Sequence, residues 1–215
     1  MSVPGDSHPA GYGHVGSLRD ETVRVLENLD LAAVVRAAEI LHEAKEEGRH
    51  IFLFGNGGSH SIATHLAADL GKGTKGVRPG QKLYKVWSLD NEAWLTAQAN
   101  DGEAFFLDGG YAGVYRHGYD GAFVGQLENF LSPGDVLFAI SSSGNSPNVL
   151  NALLFGRERG ARSIALVGFD GGEAARLADH VILVPTPRGA YGLVEGVHSV
   201  VHHLLCEHAR RLEEP

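Results

Sequence analysis

Two stretches of this sequence combine glycine with hydroxyl side chains where an apolar run gives way to a helical pattern. The first, Gly55-Asn56-Gly57-Gly58-Ser59, follows the apolar residues 50–54 and leads into a helical pattern over residues 60–70. The second, Ser141-Ser142-Ser143-Gly144-Asn145-Ser146, follows residues 135–140 and precedes Pro147. Ser146 then reads as an N-cap with proline at the first helical position. Such loops offer backbone N–H groups and hydroxyls at a helix N-terminus, which suits an anion such as a phosphate monoester. The first loop is no dinucleotide fingerprint, because His60 stands at the third glycine position. Nor is it a P-loop, since no Gly-Lys-Ser/Thr closes it.

Histidines and carboxylates follow both loops. His65 and Asp69 stand at i and i+4, on one face of the helix beyond the first loop. A histidine and a carboxylate at that spacing make a common zinc half-site. Near the C-terminus, residues 193–212 read as a long amphipathic helix carrying Glu195, His198, His202, His203 and His208. Spacing alone groups Glu195, His198 and His202, at i, i+3 and i+7. A carboxylate, a histidine and a divalent ion together can supply a base, an acid and a group that polarises a carbonyl.

These residues need a frame that brings them together. Apolar runs at 83–87, 162–167 and 180–184 bring the strand candidates to five, alternating with helical stretches. That pattern predicts a parallel sheet covered on both faces and joined by right-handed crossovers. Loops that follow parallel strands open on one edge, so both glycine–serine loops face one crevice. Residues 1–17 read as a flexible arm, and residues 18–45 as two helices parted near 28–30. Residues 18–215 read as a single domain. Residues 102–121, with six glycines and Tyr111, Tyr115 and Tyr119, read as a long surface loop of the kind that is commonly functional.

Composition narrows the ligand classes. The net charge of −8 gives no field for polyphosphate, so nucleic acid is not an expected partner. No apolar run approaches the roughly 20 residues of a membrane span, and residues 1–17 lack the charged start and apolar stretch of a signal peptide. A single cysteine, Cys206, excludes an internal disulfide and fits a reducing compartment, which points to the cytoplasm. Twelve histidines stand against one cysteine and one methionine.

The stretch from Gly55 to Leu70, reading GNGGSHSIATHLAADL, resembles the signature of the sugar isomerase (SIS) domain of phosphoheptose isomerases. Ala139-Ile140 with the second serine loop resembles that family's second phosphate loop. Asn100-Asp101, Gln126-Leu127 and Val184-Pro185 fall in family order, so the resemblance covers roughly residues 30–210. It implies a three-layer α/β/α sandwich with a five-stranded parallel sheet, here with N-terminal helices added. It also implies a homotetramer with active sites at subunit interfaces, and aldose–ketose isomerisation of sedoheptulose 7-phosphate to D-glycero-D-manno-heptose 7-phosphate through an enediol.

Carried onto this sequence, the resemblance implies that Ser59, Ser141, Ser143 and Ser146 hold the phosphate, within loops that include Gly57, Gly58 and Ser142. Asn56 and Asp101 would meet the sugar hydroxyls. His65, Asp69, Glu195 and His203 would bind a divalent metal, zinc in those enzymes, with Asp69 and His203 as base and acid. The chain departs from the family at Asp69, usually glutamate, at Glu195, often glutamine, and at Gly192, usually aspartate. An alternative is a non-catalytic SIS protein, a phosphosugar binder or a tetramer that associates with replication initiators, which residues 89–96 and Asn100-Asp101 also resemble. His203 favours the enzyme, because the binding-only relatives lack a histidine there.

Overall fold

The computed structural model describes residues 12–101 and 118–214. Among these, β1 (His50–Gly55), β2 (Lys85–Ser88), β3 (Val136–Ser141), β4 (Arg162–Gly168) and β5 (His180–Val184) form one sheet. The order is β2-β1-β3-β4-β5 and every neighbouring pair is parallel. The helices are α1 (Tyr12–Glu27), α2 (Leu31–Glu46), α3 (Gly58–Ala68), α4 (Glu92–Asp101), α5 (Ala122–Phe130), α6 (Pro147–Glu158), α7 (Gly172–Leu177) and α8 (Tyr191–Arg211).

Strand side chains alternate between faces, and both faces of this sheet are covered. β1 sends Ile51 and Leu53 into one layer with Leu41 of α2, Leu66 of α3 and Val197 of α8. It sends Phe52 and Phe54 into the other with Phe123 of α5, Phe155 of α6 and Ala174 of α7. This is the expected three-layer sandwich, and it explains why β1, β3 and β4 read as unbroken apolar runs. The chain parts between α1 and α2 at the expected place, with Asp30 capping α2 by accepting the Ala33 N–H at 3.1 Å.

Residues 12–17, expected to belong to an N-terminal arm, are helical, because α1 starts at Tyr12. Glycine and serine disguise its first turns, since they weaken a helix without forbidding it. The Ser17 hydroxyl bonds back to the Gly13 carbonyl at 3.0 Å, within helical geometry. Residues 1–11 lie outside the described residues, as do residues 102–117 of the expected surface loop.

Two buried polar groups lie behind the site. Glu213 folds back onto α2, where its fully buried carboxylate pairs with the fully buried Lys45 ammonium. His42 Nδ1 lies 3.3 Å from the same carboxylate and Arg78 Nε 3.4 Å from it. On α8, His198 faces the sheet and is wholly buried, and burial pushes its pKa down to about 4 from an ordinary 6.5. The folded state therefore binds fewer protons than the unfolded chain between those values. The stability this neutral histidine carries is full above about pH 6.5 and is lost as the pH falls towards 4, by about 3 kcal/mol in all. His198→Phe should flatten the dependence of the urea midpoint on pH between 6.5 and 4.5. Parallel pH slopes for variant and parent would show that another group carries the acid sensitivity.

Candidate active site

The crevice forms where β1 and β3 lie side by side and their following loops meet. Gly55 ends β1 in a space that admits no side chain, since a Cβ there would stand 2.6 Å from the Ile140 carbonyl oxygen and 2.8 Å from Ser59 Cβ. The tight turn that results starts α3 against the end of β3. In the second loop Gly144 adopts φ +63°, and a Cβ would come within 2.0 Å of the Gly171 carbonyl oxygen. Only glycine meets both demands.

Ser59, Ser141, Ser142, Ser143 and Ser146 line one pocket, together with Asn56. Several backbone N–H groups near it are already engaged. Those of Ser59 and His60 donate to the Asn56 carbonyl at 3.0 and 3.3 Å. Those of Gly144 and Asn145 donate to Ser141 Oγ and Ser143 Oγ at 3.1 and 3.2 Å. Hydroxyls thus carry more of the pocket's polarity than the loop sequence implies. Ser146 occupies the N-cap position of α6 with extended backbone, as expected, yet its side chain makes no cap hydrogen bond. Ser142 Oγ is buried without a hydrogen-bond partner among the described residues. A buried polar atom left in that condition calls for a ligand or a water.

Glu195 also lines this pocket, beside Tyr191. Its Oε2 lies 2.3 Å from where a Gly58 Cβ would stand, so the carboxylate fills the space at the N-terminus of α3. A negative group there is favoured by the helix dipole. Glu195, expected beside His65, Asp69 and His203 as a metal ligand, lies at the serine pocket in this structure, and His202 stands next to the other three. The ligand atoms of His65, Asp69, His202 and His203 all lie within 4.8 Å of one another.

Both clusters sit on one pair of helices. Gly58 meets Glu195, and seven residues further along each helix the His65 ring lies 4.4 Å from that of His202, so α3 and α8 run side by side in the same direction. Asp69 follows α3 in a π-helical turn, Asp69–Gly73, a distortion frequent at functional sites. His202 is fully buried, and its Nε2 lies 2.9 Å from Asp69 Oδ2. His65 Nε2 lies 3.4 Å from the same oxygen and is half exposed. The His203 ring lies 3.9 Å from that of His202 and 5.2 Å from that of His65, centroid to centroid. Its Nδ1 donates to the Ser199 carbonyl at 2.7 Å, since a carbonyl oxygen can only accept.

Electrostatics keep this cluster ready to bind a cation. Burial works to raise the Asp69 pKa, but the His202 hydrogen bond and the nearby His65, His202 and His203 outweigh it, so the carboxyl is held below its ordinary value. Burial lowers the His202 pKa and outweighs the Asp69 hydrogen bond, which keeps the ring neutral at neutral pH. An ionised carboxylate and a neutral imidazole, the forms favoured at Asp69 and His202, are those that ligate metals. The nearby Cys206 thiol is pushed up to about 12 by burial and stays protonated.

Asp101 ends α4, and its side chain lies outside the described residues. Spacing along the sequence already groups His202 with Glu195 and His198, whereas Tyr191 at the pocket and Asn148 beside Asn56 carry no motif that marks them. Asn148 is buried and exchanges two hydrogen bonds with Asn56, at 2.9 and 2.8 Å.

The SIS domain family model matches residues 18–168 of this chain. A phosphoheptose isomerase of Aliarcobacter butzleri is 36% identical over 191 residues, covering 87% of this chain and 89% of its own. That of Geobacter sulfurreducens is 35% identical over 190 residues, with the same coverage. The structure of a phosphoheptose isomerase from Neisseria gonorrhoeae superposes with a TM-score of 0.75 at 30% identity, over 91% of this chain and 96% of that one. One from Francisella tularensis, at 21% identity, shares the fold with a TM-score of 0.78, over 94% and 100%. With its sheet order, its paired serine loops and these relatives along most of its length, the chain belongs to the phosphoheptose isomerase family of SIS-domain enzymes.

Proposed function

We propose that this protein interconverts sedoheptulose 7-phosphate and D-glycero-D-manno-heptose 7-phosphate through an enediol. The observation that carries this reading is the spacing along α3 and α8. Glu195 and His202 are seven residues apart, about 10 Å along a helix. From phosphorus to C1, an extended seven-carbon sugar phosphate with bonds near 1.5 Å also spans roughly 10 Å. One end of the helix pair thus suits the phosphate and the other suits the carbons that exchange hydrogen.

Because the Glu195 carboxylate occupies the N-terminus of α3, the anion belongs at the second loop. There the Ser141, Ser142, Ser143 and Ser146 hydroxyls and the N-terminus of α6 hold the phosphate, with Ser59 opposite. Glu195 and Asn56 meet sugar hydroxyls. His65, Asp69 and His202 fit a divalent ion, best zinc, since two imidazoles and one carboxylate form a common catalytic zinc donor set with a fourth position open. Bound there, such an ion would supply polarisation of the sugar carbonyl. The reaction moves one hydrogen between C1 and C2 and one between their oxygens, with nothing gained or lost. His203, exposed and oriented through Nδ1, is the residue fitted to carry the carbon-bound proton. Asp69, held below its ordinary pKa, is a weak base and serves first as the anionic anchor of the cluster.

A homotetramer in the cytoplasm completes the reading. Exposed apolar side chains on α1 (Val15, Leu18 and Val23) and on α8 (Val200 and Leu204) support association with further copies. Among the described residues no helix is long and apolar enough to cross a membrane. Protein stripped by a chelator should lose turnover of sedoheptulose 7-phosphate about a hundredfold and regain it with zinc. If zinc-loaded protein leaves sedoheptulose 7-phosphate unchanged, the heptose reading is wrong.

A further inference from the structure

Asn56 faces the pocket with an amide whose two ends are chemically opposite, and the structure determines which end is which. The orientation starts at the backbone. The Val149 N–H is shared between the Ser146 carbonyl and Asn148 Oδ1, each at 3.0 Å, so the Asn148 atom facing it is the acceptor oxygen and the other end of the amide is the donor. Asn148 is buried and cannot swing away. Its Nδ2 then donates to Asn56 Oδ1 at 2.8 Å, and its Oδ1 accepts from Asn56 Nδ2 at 2.9 Å. The hydroxyl of Tyr119 donates to the same Asn56 Oδ1 at 2.8 Å. Both lone pairs of that oxygen are thereby engaged. What remains of the amide is one N–H, on a residue that lines the serine pocket.

Tyr119 reaches Asn56 from a separate part of the chain. It sits in a single 3-10 turn, Gly118–Gly121, just before α5. Asn151 of α6 holds the turn by donating to the Asp120 carbonyl at 3.0 Å. The tyrosine is half exposed and is not itself part of the pocket wall, so its effect on a ligand passes through Asn56.

We propose that Tyr119 is a positioning residue that, with Asn148, locks Asn56 as a one-way hydrogen-bond donor, so that the sugar phosphate meets Asn56 with an acceptor oxygen. Asn56 therefore selects for an oxygen lone pair at that point of the substrate and selects against a hydroxyl proton directed at it. The kinetic side of this inference rests on the isomerase reading above.

A double-mutant cycle tests it, with kcat and KM measured on sedoheptulose 7-phosphate using full-length, zinc-loaded protein. Tyr119→Phe keeps the ring and removes only the hydroxyl. It should raise KM roughly fivefold, the worth of one hydrogen bond, and change kcat less than about twofold. The same change in an Asn56→Ala background should alter KM less than about twofold, because the residue it acts through is gone. Asn56→Asp, which offers no N–H, should be at least as impaired as Asn56→Ala. Equal effects of Tyr119→Phe with and without Asn56 would overturn the proposal, as would parent-like KM in Asn56→Asp. The thermal midpoint of Tyr119→Phe should match the parent's, separating positioning from stability.

If the parent gives no turnover, the isomerase reading falls and the lock is judged on the amide itself. In protein labelled with nitrogen-15 at asparagine, the Asn56 side-chain signals should move in Tyr119→Phe while those of Asn28, whose amide donates to the Arg24 carbonyl, stay in place. Unmoved Asn56 signals would overturn the lock.

Discussion

Asp69→Asn should lower turnover of sedoheptulose 7-phosphate by about three orders of magnitude. Three imidazoles surround this carboxylate, and its Oδ2 faces both His65 and His202. The amide keeps the size but removes the only negative charge in the cluster, so retained metal, measured by elemental analysis, should fall with activity. Binding of the sugar phosphate, measured by calorimetry, should change less than about threefold, because the serine pocket lies two helical turns away. His203→Ala separates the roles. It should lose comparable turnover, while His65, Asp69 and His202 remain to hold metal. Parent-like turnover in both variants would remove the histidine cluster from catalysis.

Glu213→Ala should lower the unfolding free energy by about 3 kcal/mol, read as a shift of the urea midpoint at unchanged slope. Both the carboxylate and Lys45 are without solvent exposure. Deleting the acid leaves a buried ammonium with only Glu46 Oε1, at 2.9 Å, as an anionic partner. Replacing both members together, as Lys45→Met with Glu213→Leu, should recover most of the loss, since the desolvation of both charges disappears with their attraction. A Glu213→Ala protein as stable as the parent would show that the pair gives back in desolvation all that it gains in attraction.

Much of this architecture was legible in the sequence because it obeys short-range rules. The strand at residues 180–184 was bounded correctly, since an apolar run between polar turns leaves little choice. Both glycine–serine loops lie at the end of their strands, as the change from apolar run to helical pattern requires. The edge strand β2 was displaced, predicted over 83–87 and found over Lys85–Ser88, because an exposed edge lacks the apolar contrast that marks a boundary. On α8, spacing grouped Glu195, His198 and His202, and two of these do lie on the buried face. Periodicity identifies a face but not the neighbour at each level of it. His198 meets the sheet, His202 meets Asp69 and Glu195 meets Gly58. That assignment depends on the direction and register of α3, which no local pattern records. The Asn56–Asn148 and Asn56–Tyr119 bonds, spanning 92 and 63 residues, were out of reach for the same reason.

The sheet order has a consequence for how the protein can vary. β1 and β3 are neighbours in space, yet the chain between them runs out to β2 and returns through α4 and α5. Both serine loops are anchored on that inner pair of strands. The excursion between them can therefore lengthen, shorten or exchange residues while the two walls of the pocket keep their separation. Tyr119 belongs to this excursion and meets Asn56 of the first loop, so a change in the variable part of the chain can reach the pocket through a single hydrogen bond.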